Sequence, residues 1–394
     1  MRSQAMNTDL LRAHTPACHD LIHFNNAGAA LSPQPVSDAL FEHLLLEQRV
    51  GGYEAGEASL SAQDNFYHAF GRLLGCNPRE IAYMENATRA WTLLLQAIPL
   101  VHGDRIITGQ SEYASNYMTL LHLAKTRNIR VEVIPNDSNG HICLQTLQQK
   151  LDEDVRLIAL THVPSQSGVI HPAAEVGKIA RKHRIFYLLD ACQSVGQIDL
   201  NVDDIGCDML TGSGRKYLRG PRGTGFMYVR QSTQDYLEPP SADLQSASWT
   251  RKDSFKFRDD ARRFENWEHY VAGKIALGVA ADYACDLGMN IIEDRIRLLA
   301  SLLREKLRQM PGVEVHEQGE KLSGIVTFSC DGKDASAVHQ YLREHHINTS
   351  VVRHQVNQLD FSKRGLPDVN RASVHYYNAE QEIDAFCRVL SARL

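Results

Sequence analysis

The sequence lacks several features that would assign it to a common class of protein. Its eight cysteines include no Cys-x-x-Cys pair, which argues against a zinc ribbon and against a disulfide scaffold. No stretch approaches the roughly 18 apolar residues of a membrane span, and residues 1–14 contain no apolar signal core. Long runs of lysine or arginine are also absent, and the net charge is −5. These absences argue against a nucleic-acid or membrane partner and favour small-molecule chemistry in the cytoplasm.

What is present is ordinary globular composition over a long chain. The chain has 394 residues, of which 43% are hydrophobic and 23% charged, so a large buried core can form. The length fits two or three domains, or one large α/β layer with a smaller unit. His345 and His346 are adjacent, and the chain contains no HExxH motif, so we expect no metal site.

Short β-rich runs alternate with amphipathic stretches between residues 104 and 229. The pattern predicts strands at residues 106–107, 131–134, 155–163, 185–190 and 225–229. Residues 173–183 have the spacing of a helix, and the strand after them is apolar on both faces, which is typical of a central parallel strand. The sequence therefore predicts a doubly wound, mostly parallel sheet.

The character of the chain changes after the two prolines at 239 and 240. A polar stretch over residues 245–260 leads into a helix-rich segment, which is followed by a predicted strand at 324–329 and a helix at 334–345. We therefore predict a large domain over residues 16–260 and a smaller α+β domain over residues 261–394. Residues 1–15 would form an N-terminal arm of the smaller domain.

An acidic residue and a lysine stand where chemistry is expected. Asp190 ends the apolar strand, and ligands of open α/β sheets bind at that edge. A buried carboxylate needs a cationic partner such as a pyridinium nitrogen. Lys216 lies among small residues and glycines, where burial and nearby cations would lower its pKa enough for Schiff-base chemistry.

Each feature has an ordinary alternative. A strand-end aspartate often caps a loop, and a lysine between glycines is commonly a solvated turn residue. The glycines at 220–225 could suggest a nucleotide loop, but they lead into a strand and match neither GxGxxG nor GxxxxGK[ST]. The combination of features, rather than any one of them, carries the prediction.

Four motifs together resemble the class V aminotransferases, a family of pyridoxal-phosphate enzymes. They are DACQSVGQ at 190–197, SGRK at 213–216 with the Gly-rich turn after it, RASVHYYN at 371–378 and FNNAG at 24–28. The family includes cysteine desulfurases, selenocysteine lyases, isopenicillin-N epimerase-like proteins and carbon-sulfur lyases. The resemblance implies PLP-dependent transferase fold type I, an α/β fold.

The resemblance assigns roles around the cofactor pyridoxal 5'-phosphate. Lys216 would form the Schiff base, Asp190 would pair with the ring nitrogen, and Gln193 would bond the phenolic oxygen. Asp190 would keep the ring protonated as an electron sink. The phosphate would be held by the hydroxyl of Ser213 and by a helix start, where free N–H groups meet an anion; that start consists of Asn86, Ala87 and Thr88. For Thr88 a plain helix cap is the alternative.

Other implied roles concern the substrate and a second subunit. Arg371 would clamp the substrate's α-carboxylate as a planar bidentate donor. Asn25, Asn26 and Gly28 would form a loop that covers the substrate, although a plain turn is their alternative. Trp267 lies where relatives extend a loop to the neighbouring subunit's phosphate, so the family implies a homodimer with shared sites.

Departures from the family pattern bear on the reaction. The histidine that stacks on the cofactor in desulfurases is absent, so stacking would pass to Tyr113 or a small residue. Arg215 replaces a histidine before the lysine, and Gln166 stands where relatives often have asparagine. Residues 348–371 contain no cysteine, which argues against an enzyme that forms a persulfide.

We therefore expect an enzyme that acts on an amino acid through an external aldimine and a quinonoid. The favoured reaction is β-elimination from cysteine or an S-substituted cysteine, with Lys216 moving the α-proton. Transamination and epimerisation by the same family remain open. A catalytically silent binding protein of this fold is the alternative from another class.

Overall fold

The structure is a computed structural model that describes residues 6–394. Its strands are β1 Ile22–His23, β2 Ile81–Met84, β3 Arg105–Gly109, β4 Arg130–Ile134, β5 Val155–Thr161, β6 Phe186–Asp190, β7 Met209–Ser213, β8 Gly225–Val229, β9 Ala247–Arg251, β10 Ser254–Phe257, β11 Val313–Val315, β12 Ile325–Cys330, β13 Ile347–Asn348, β14 Ser350–Val352 and β15 Val369–Ser373. Its α-helices are α1 Thr8–Ala13, α2 Gln34–Val50, α3 Gly52–Ala58, α4 Leu60–Leu74, α5 Ala87–Ala97, α6 Ala114–Arg127, α7 Leu144–Gln149, α8 Ala173–His183, α9 Val202–Ile205, α10 Gln231–Gln234, α11 Val271–Leu287, α12 Met289–Arg308, α13 Ala335–Glu344, α14 Gln358–Arg364 and α15 Glu380–Ser391.

Seven strands form the central sheet, in the order β2, β8, β7, β6, β5, β3, β4. The strands from β7 to β4 are parallel, and β8 is antiparallel to both of its neighbours. Alternate residues of β5 are buried in two hydrophobic cores. Ile158 and Leu160 belong to the core on one face of the sheet, and Leu157 and Ala159 belong to the core on the other. A strand with two buried faces needs helices on both sides of the sheet, so the predicted doubly wound α/β fold is confirmed.

A second sheet lies in the C-terminal part of the chain. Its four strands are antiparallel, in the order β11, β12, β15, β14. Apolar residues of α12, α13 and α15 pack in one core with β12 and β15. This sheet carries Arg371 on β15. Strand β1 lies close to β15 because Asn25, two residues after β1, bridges to Ser373.

The segment around residue 260 links the two parts more closely than a linker would. The polar stretch 245–260 contains the antiparallel pair β9 and β10. Helix α11 packs against α2 and α4, and its residues Ala276 and Leu277 belong to the core of the large sheet. The boundary between 260 and 261 stays a prediction. Of the predicted N-terminal arm, residues 1–5 lie outside the described residues, and Arg12 pairs with Glu382 of α15 at 2.8 Å.

The helices of the C-terminal part also bear on membrane insertion. Within residues 6–394 no single helix is long and apolar enough to cross a membrane. Helices α11 and α12 together have the length and the apolar composition of a membrane span, but the pair is bent by 81° between the two helices.

Candidate active site

Three neighbouring parallel strands end at one edge of the large sheet and define the site. The register pairs Thr161 of β5 with Asp190 of β6 and pairs Asp190 with Thr211 of β7. Lys216 follows β7 by three residues. The chain order of the motifs thus becomes a spatial cluster, because parallel strands place their carboxyl ends side by side.

Asp190 is a buried carboxylate that is fixed by two hydrogen bonds. The side-chain amide of Asn116 donates to Oδ2 at 2.7 Å, and the backbone N–H of Cys192 donates to Oδ1 at 2.8 Å. Among the residues described, Asp190 forms no ion pair. A buried carboxylate without a cationic partner is costly, so the arrangement suits a cation supplied by a ligand.

Lys216 is buried, and its side chain makes no hydrogen bond with the part of the chain that the structure describes. Its Nζ lies 5.8 Å from the ring centroid of Tyr113. Burial lowers the pKa of Lys216, and the charges of Arg215 and Arg371 lower it further, whereas Cys192 and Asp190 oppose the shift. The lowered pKa increases the share of neutral amine, and a neutral amine can attack a carbonyl or accept a proton.

Two buried glutamines leave polar atoms free beside this cluster. Gln193 donates one N–H to the carbonyl of Ala27 at 3.0 Å, and its Oε1 has no partner. Gln166 is 1% exposed, and neither atom of its side-chain amide is paired. Buried amides are normally hydrogen-bonded, so these side chains indicate the position of a polar ligand.

A third set of free groups lies where the cofactor phosphate is expected. Helix α5 begins after Asn86, whose side chain accepts from the N–H of Arg89 at 2.8 Å. The N–H groups of Ala87 and Thr88 open this helix, so they have no acceptor within it. A Cβ on Gly225 would stand 3.1 Å from the nitrogen of Ala87 and 2.9 Å from the carbonyl oxygen of Gly212. This close approach brings the helix start beside β7.

The hydroxyl of Ser213 completes the fit to the cofactor. Ser213 ends β7, and its buried Oγ has no partner. Pyridoxal phosphate carries an aldehyde, a ring nitrogen, a phenolic oxygen and a phosphate. Lys216 suits the aldehyde and Asp190, which has no ion pair among the described residues, suits the ring nitrogen. The free oxygen of Gln193 suits the phenolic oxygen, and the free hydroxyl of Ser213 suits the phosphate. The residues present therefore fit this cofactor.

Arg371 is a buried guanidinium that has no carboxylate partner among residues 6–394. Its Nη1 donates to the carbonyl of Ser165 at 3.2 Å, and its Nη2 donates to Oδ1 of Asn25 at 3.3 Å. Nε is buried and unpaired. Burial lowers the pKa of Arg371 to about 10. An uncompensated buried cation of this kind is suited to hold an anionic group of a ligand.

The N-terminal loop reaches Arg371 through Asn25 rather than through its neighbour. Asn26 is fully buried, and its amide donates to the carbonyls of His23 and Ser373 while its oxygen accepts from Tyr377. A Cβ on Gly28 would come within 2.6 Å of Asn25 Oδ1. Gly28 therefore leaves room for the Asn25 amide. Substrate contacts of Asn26 and Gly28 stay predictions.

The remaining predicted residues are spread more widely. Tyr113 immediately precedes α6 and is partly exposed, with its ring close to Lys216. Arg215 is partly exposed. Trp267 is exposed and lines a cavity of about 720 Å³ together with Tyr53, Leu60 and Lys274. None of these three cavity neighbours belongs to the Lys216 cluster, and a contact of Trp267 with the cofactor stays a prediction.

The C-terminal motif anchors the loop that carries Lys216. His375 hydrogen-bonds the carbonyl of Tyr217 at 2.9 Å through Nε2. Arg219 is 1% exposed, has a φ of +62°, and donates to Thr15 Oγ1 at 2.6 Å and to Tyr376 OH at 2.8 Å. Residues from both ends of the chain thus hold this loop.

The sequence analysis missed Glu112 and Asn116. Asn116 donates both to Asp190 and to Glu112 Oε1, the latter at 3.0 Å. Burial raises the pKa of Glu112 to about 7; the hydrogen bond from Thr161 opposes this shift and the charge of Asp190 adds to it. Glu112 lies before α6 and Asn116 lies in its first turn, so the two do not share a helical face and their spacing gave no signal.

Two buried histidines beside the site make stability sensitive to acid. Burial lowers the pKa of His162 to about 4 and that of His171 to about 3. The same side chains in the unfolded chain titrate near 6.5. The unfolded state therefore binds more protons between pH 6.5 and 4, so the free energy of unfolding falls as the pH is lowered through this window.

We expect His171→Asn to weaken this acid dependence. Asparagine can still accept the hydrogen bond that Ile142 N–H gives to Nδ1 of His171 at 3.1 Å, but it does not titrate. Urea unfolding at pH 6.5 and 4.5 should show a slope lower than that of wild type by up to about 1.4 kcal/mol per pH unit. Equal slopes for the two proteins would contradict the assignment.

Comparisons with known proteins agree with this geometry. A family model described as Aminotransferase class-V matches residues 22–386. A probable cysteine desulfurase of Methanothermobacter thermautotrophicus is 27% identical, over 96% of each chain. The apo structure of cysteine desulfurase from Thermococcus onnurineus is 27% identical, has a TM-score of 0.91 and covers 100% of this chain and 99% of its own.

A further solved structure supports the fold alone. It is the complex of the cystine C-S lyase C-DES with its reaction product cysteine persulfide, at 21% identity and a TM-score of 0.87, covering 96% of this chain and 99% of its own. The family match spans most of the chain, including every motif of the site. This chain belongs to the class-V aminotransferase family.

Proposed function

We propose that this protein is a pyridoxal-phosphate enzyme that cleaves the carbon-sulfur bond of cysteine or of an S-substituted cysteine. The observation that carries the proposal is one cluster: a buried unpaired lysine, a buried carboxylate without an ion pair and a buried arginine without a carboxylate. The relatives named as cysteine desulfurases also act on a carbon-sulfur bond, as their name states. Together these favour a lyase over a transferase or an isomerase.

Each residue has a role in this reaction. Arg371 binds the α-carboxylate of the substrate, and Asp190 pairs with the ring nitrogen of the cofactor. Gln193 bonds the phenolic oxygen, while Ser213 and the start of α5 hold the phosphate. When bound, pyridoxal phosphate serves as a sink for the electron pair left on the α-carbon. Lys216, whose pKa burial lowers, accepts the α-proton.

The bond changes follow from those roles. The α-proton moves to Nζ of Lys216, and the bond between Cβ and sulfur breaks with its electron pair leaving on sulfur. Hydrolysis of the remaining three-carbon unit gives pyruvate and ammonia. Each S-substituted cysteine and one water therefore yield one thiol, one pyruvate and one ammonium ion, and cysteine itself yields hydrogen sulfide in place of the thiol.

The absence of a thiol near Arg371 separates this reaction from sulfur transfer to the enzyme. Residues 348–371 contain no cysteine. Cys192 is buried beside Asp190, and burial raises its pKa, so it is a poor thiolate. The sulfur therefore leaves as a free thiol.

Product analysis tests the proposal. Purified protein is incubated with L-cysteine, S-methylcysteine or L-alanine, and thiol, pyruvate and ammonia are measured. Equal amounts of the three products from at least one of the two sulfur substrates, and none from L-alanine, are expected. Pyruvate from L-alanine with a pyridoxamine form of the cofactor would indicate transamination, and D-amino acid would indicate epimerisation. If none of these products forms and the protein shows no visible absorption, it is a catalytically silent protein.

We also propose a homodimer, supported by an exposed apolar surface. Large hydrophobic side chains are exposed on α2, α3, α4 and the loop after residue 264. Tyr53, Leu60 and Trp267 of this surface line the cavity of about 720 Å³. Apolar patches rimmed by polar residues commonly mark protein interfaces. The cytoplasmic location stays a prediction, favoured by eight free cysteines.

The dimer is tested with two matched leucines. Leu60 is 62% exposed on this surface, and Leu298 is 56% exposed on α12. Leu60→Asp is expected to convert the dimer to a monomer because it places a charge in the interface, whereas Leu298→Asp should remain dimeric. Sedimentation velocity measures both masses. A monomeric wild type, or a dimeric Leu60→Asp variant, would contradict the proposal.

A further inference from the structure

Glu112 is a buried carboxylate that the proposed reaction leaves without a role. It lies between the end of β3 and the start of α6. Its Oε1 accepts from the N–H of Tyr113 at 2.9 Å, from Asn116 Nδ2 at 3.0 Å and from the hydroxyl of Thr161. Its Oε2 accepts from Thr108 Oγ1 at 3.0 Å and from Thr161 N–H at 3.1 Å.

These five donors require that both side-chain oxygens of Glu112 act as hydrogen-bond acceptors. Two of the five donors are backbone N–H groups, which cannot reverse their direction. A glutamine here would turn an N–H toward at least one of them, since one backbone donor faces each oxygen. The site therefore requires a carboxylate rather than a side chain of similar size.

Asn116 transmits the position of Glu112 to Asp190. Its Nδ2 donates to Glu112 Oε1 at 3.0 Å and to Asp190 Oδ2 at 2.7 Å. A primary amide has two N–H bonds in one plane, so fixing one bond fixes the direction of the other. Cys192 N–H occupies the other oxygen of Asp190. The carboxylate plane of Asp190 is thus set by one backbone donor and one amide that Glu112 holds.

We propose that Glu112 is a positioning residue for Asp190, holding the Asn116 amide so that Asp190 is aimed at the ring nitrogen of the bound cofactor. The inference rests on the proposed function, because it assumes that pyridoxal phosphate binds with its nitrogen at Asp190. Glu112 does not touch the cofactor in this assignment. It acts through the side chain of Asn116 and affects one contact, the one between Asp190 and the ring nitrogen.

The test compares two cofactors that differ only at the ring nitrogen. Apoprotein of wild type, Glu112→Gln and Asn116→Ala is titrated with pyridoxal phosphate and with 1-deazapyridoxal phosphate, in which carbon replaces that nitrogen. Affinity is read from protein fluorescence and from visible absorption. Both variants should bind pyridoxal phosphate about tenfold more weakly than wild type. Their affinity for the deaza analogue should match that of wild type within about twofold.

A matched control separates positioning from general loss of packing. Glu317 is another buried glutamate that accepts from a threonine, but that threonine, Thr327, belongs to β12 of the second sheet. Glu317→Gln should affect the two cofactors equally, whatever it does to thermal stability. Equal weakening of both cofactors by Glu112→Gln, or no weakening of either, would overturn the proposal.

The outcome also distinguishes this inference from the function on which it rests. If wild type binds neither cofactor, the proposed function fails and the inference fails with it. If wild type binds pyridoxal phosphate and releases pyruvate and thiol but Glu112→Gln is indistinguishable from wild type, only the inference fails.

Discussion

Lys216→Ala is expected to lower kcat/KM for a sulfur substrate at least about 10³-fold, because the variant loses both the nucleophilic amine and the base that takes the α-proton. The visible absorption of covalently held cofactor should disappear as well. The loss should be in chemistry rather than in folding, because the Lys216 side chain makes no hydrogen bond within the described chain and its burial opposes its charge. Stopped-flow kinetics, absorption spectra and thermal unfolding check the three expectations.

The other buried lysine provides the control. Lys274 is buried on α11, and its Nζ donates to Tyr67 OH at 2.7 Å. Lys274→Met should lose stability, because it breaks this buried cluster, yet keep the absorption band. If both variants kept the band, or both lost it, Lys216 would not be the residue that holds the cofactor.

Arg371→Met is expected to lower kcat/KM for L-cysteine about 10²-fold, through removal of a charged pair of hydrogen bonds to the substrate. KM should carry most of the change, since the carboxylate is held equally before and during the reaction. Binding of cysteamine, which lacks the carboxylate, should change by less than about twofold. That contrast distinguishes a lost contact from a distorted site.

An exposed arginine gives the matched comparison. Arg353 is 56% exposed at its side chain and pairs with Asp368 at 2.9 Å. Arg353→Met should leave kcat/KM within about twofold of wild type, because exposed ion pairs contribute little. An equal loss with cysteamine and cysteine in Arg371→Met would contradict carboxylate binding.

The parts that could be predicted from the sequence are those fixed by local pattern. Helix α8 covers the predicted residues 173–183, and the predicted strands near 106, 131, 155, 186 and 225 are present. Helix α4 ends at Gly75, whose φ is +68°, a conformation that glycine adopts readily. Periodicity and turn residues act within one element, so a single sequence reveals them.

The parts that escaped prediction depend on distant segments. The polar pair β9 and β10 has mostly exposed residues, so no apolar alternation marks it. Glu112 matters only because β3, β5 and β6 lie side by side, and no spacing along the chain encodes that register. Asn25 contacts Arg371, 346 residues away in the sequence, because Asn25 bridges to Ser373 of β15.

The loop that carries Lys216 is clasped by Thr15 on one side and by Tyr376 on the other. Those two positions are separated by nearly the whole polypeptide. A ribosome-bound chain that has emerged only as far as α11 has the large sheet but lacks half of this clasp. The loop that carries Lys216 is therefore held on both sides only when the C-terminal motif is present, so a truncation before residue 371 would release it although the whole large sheet remains.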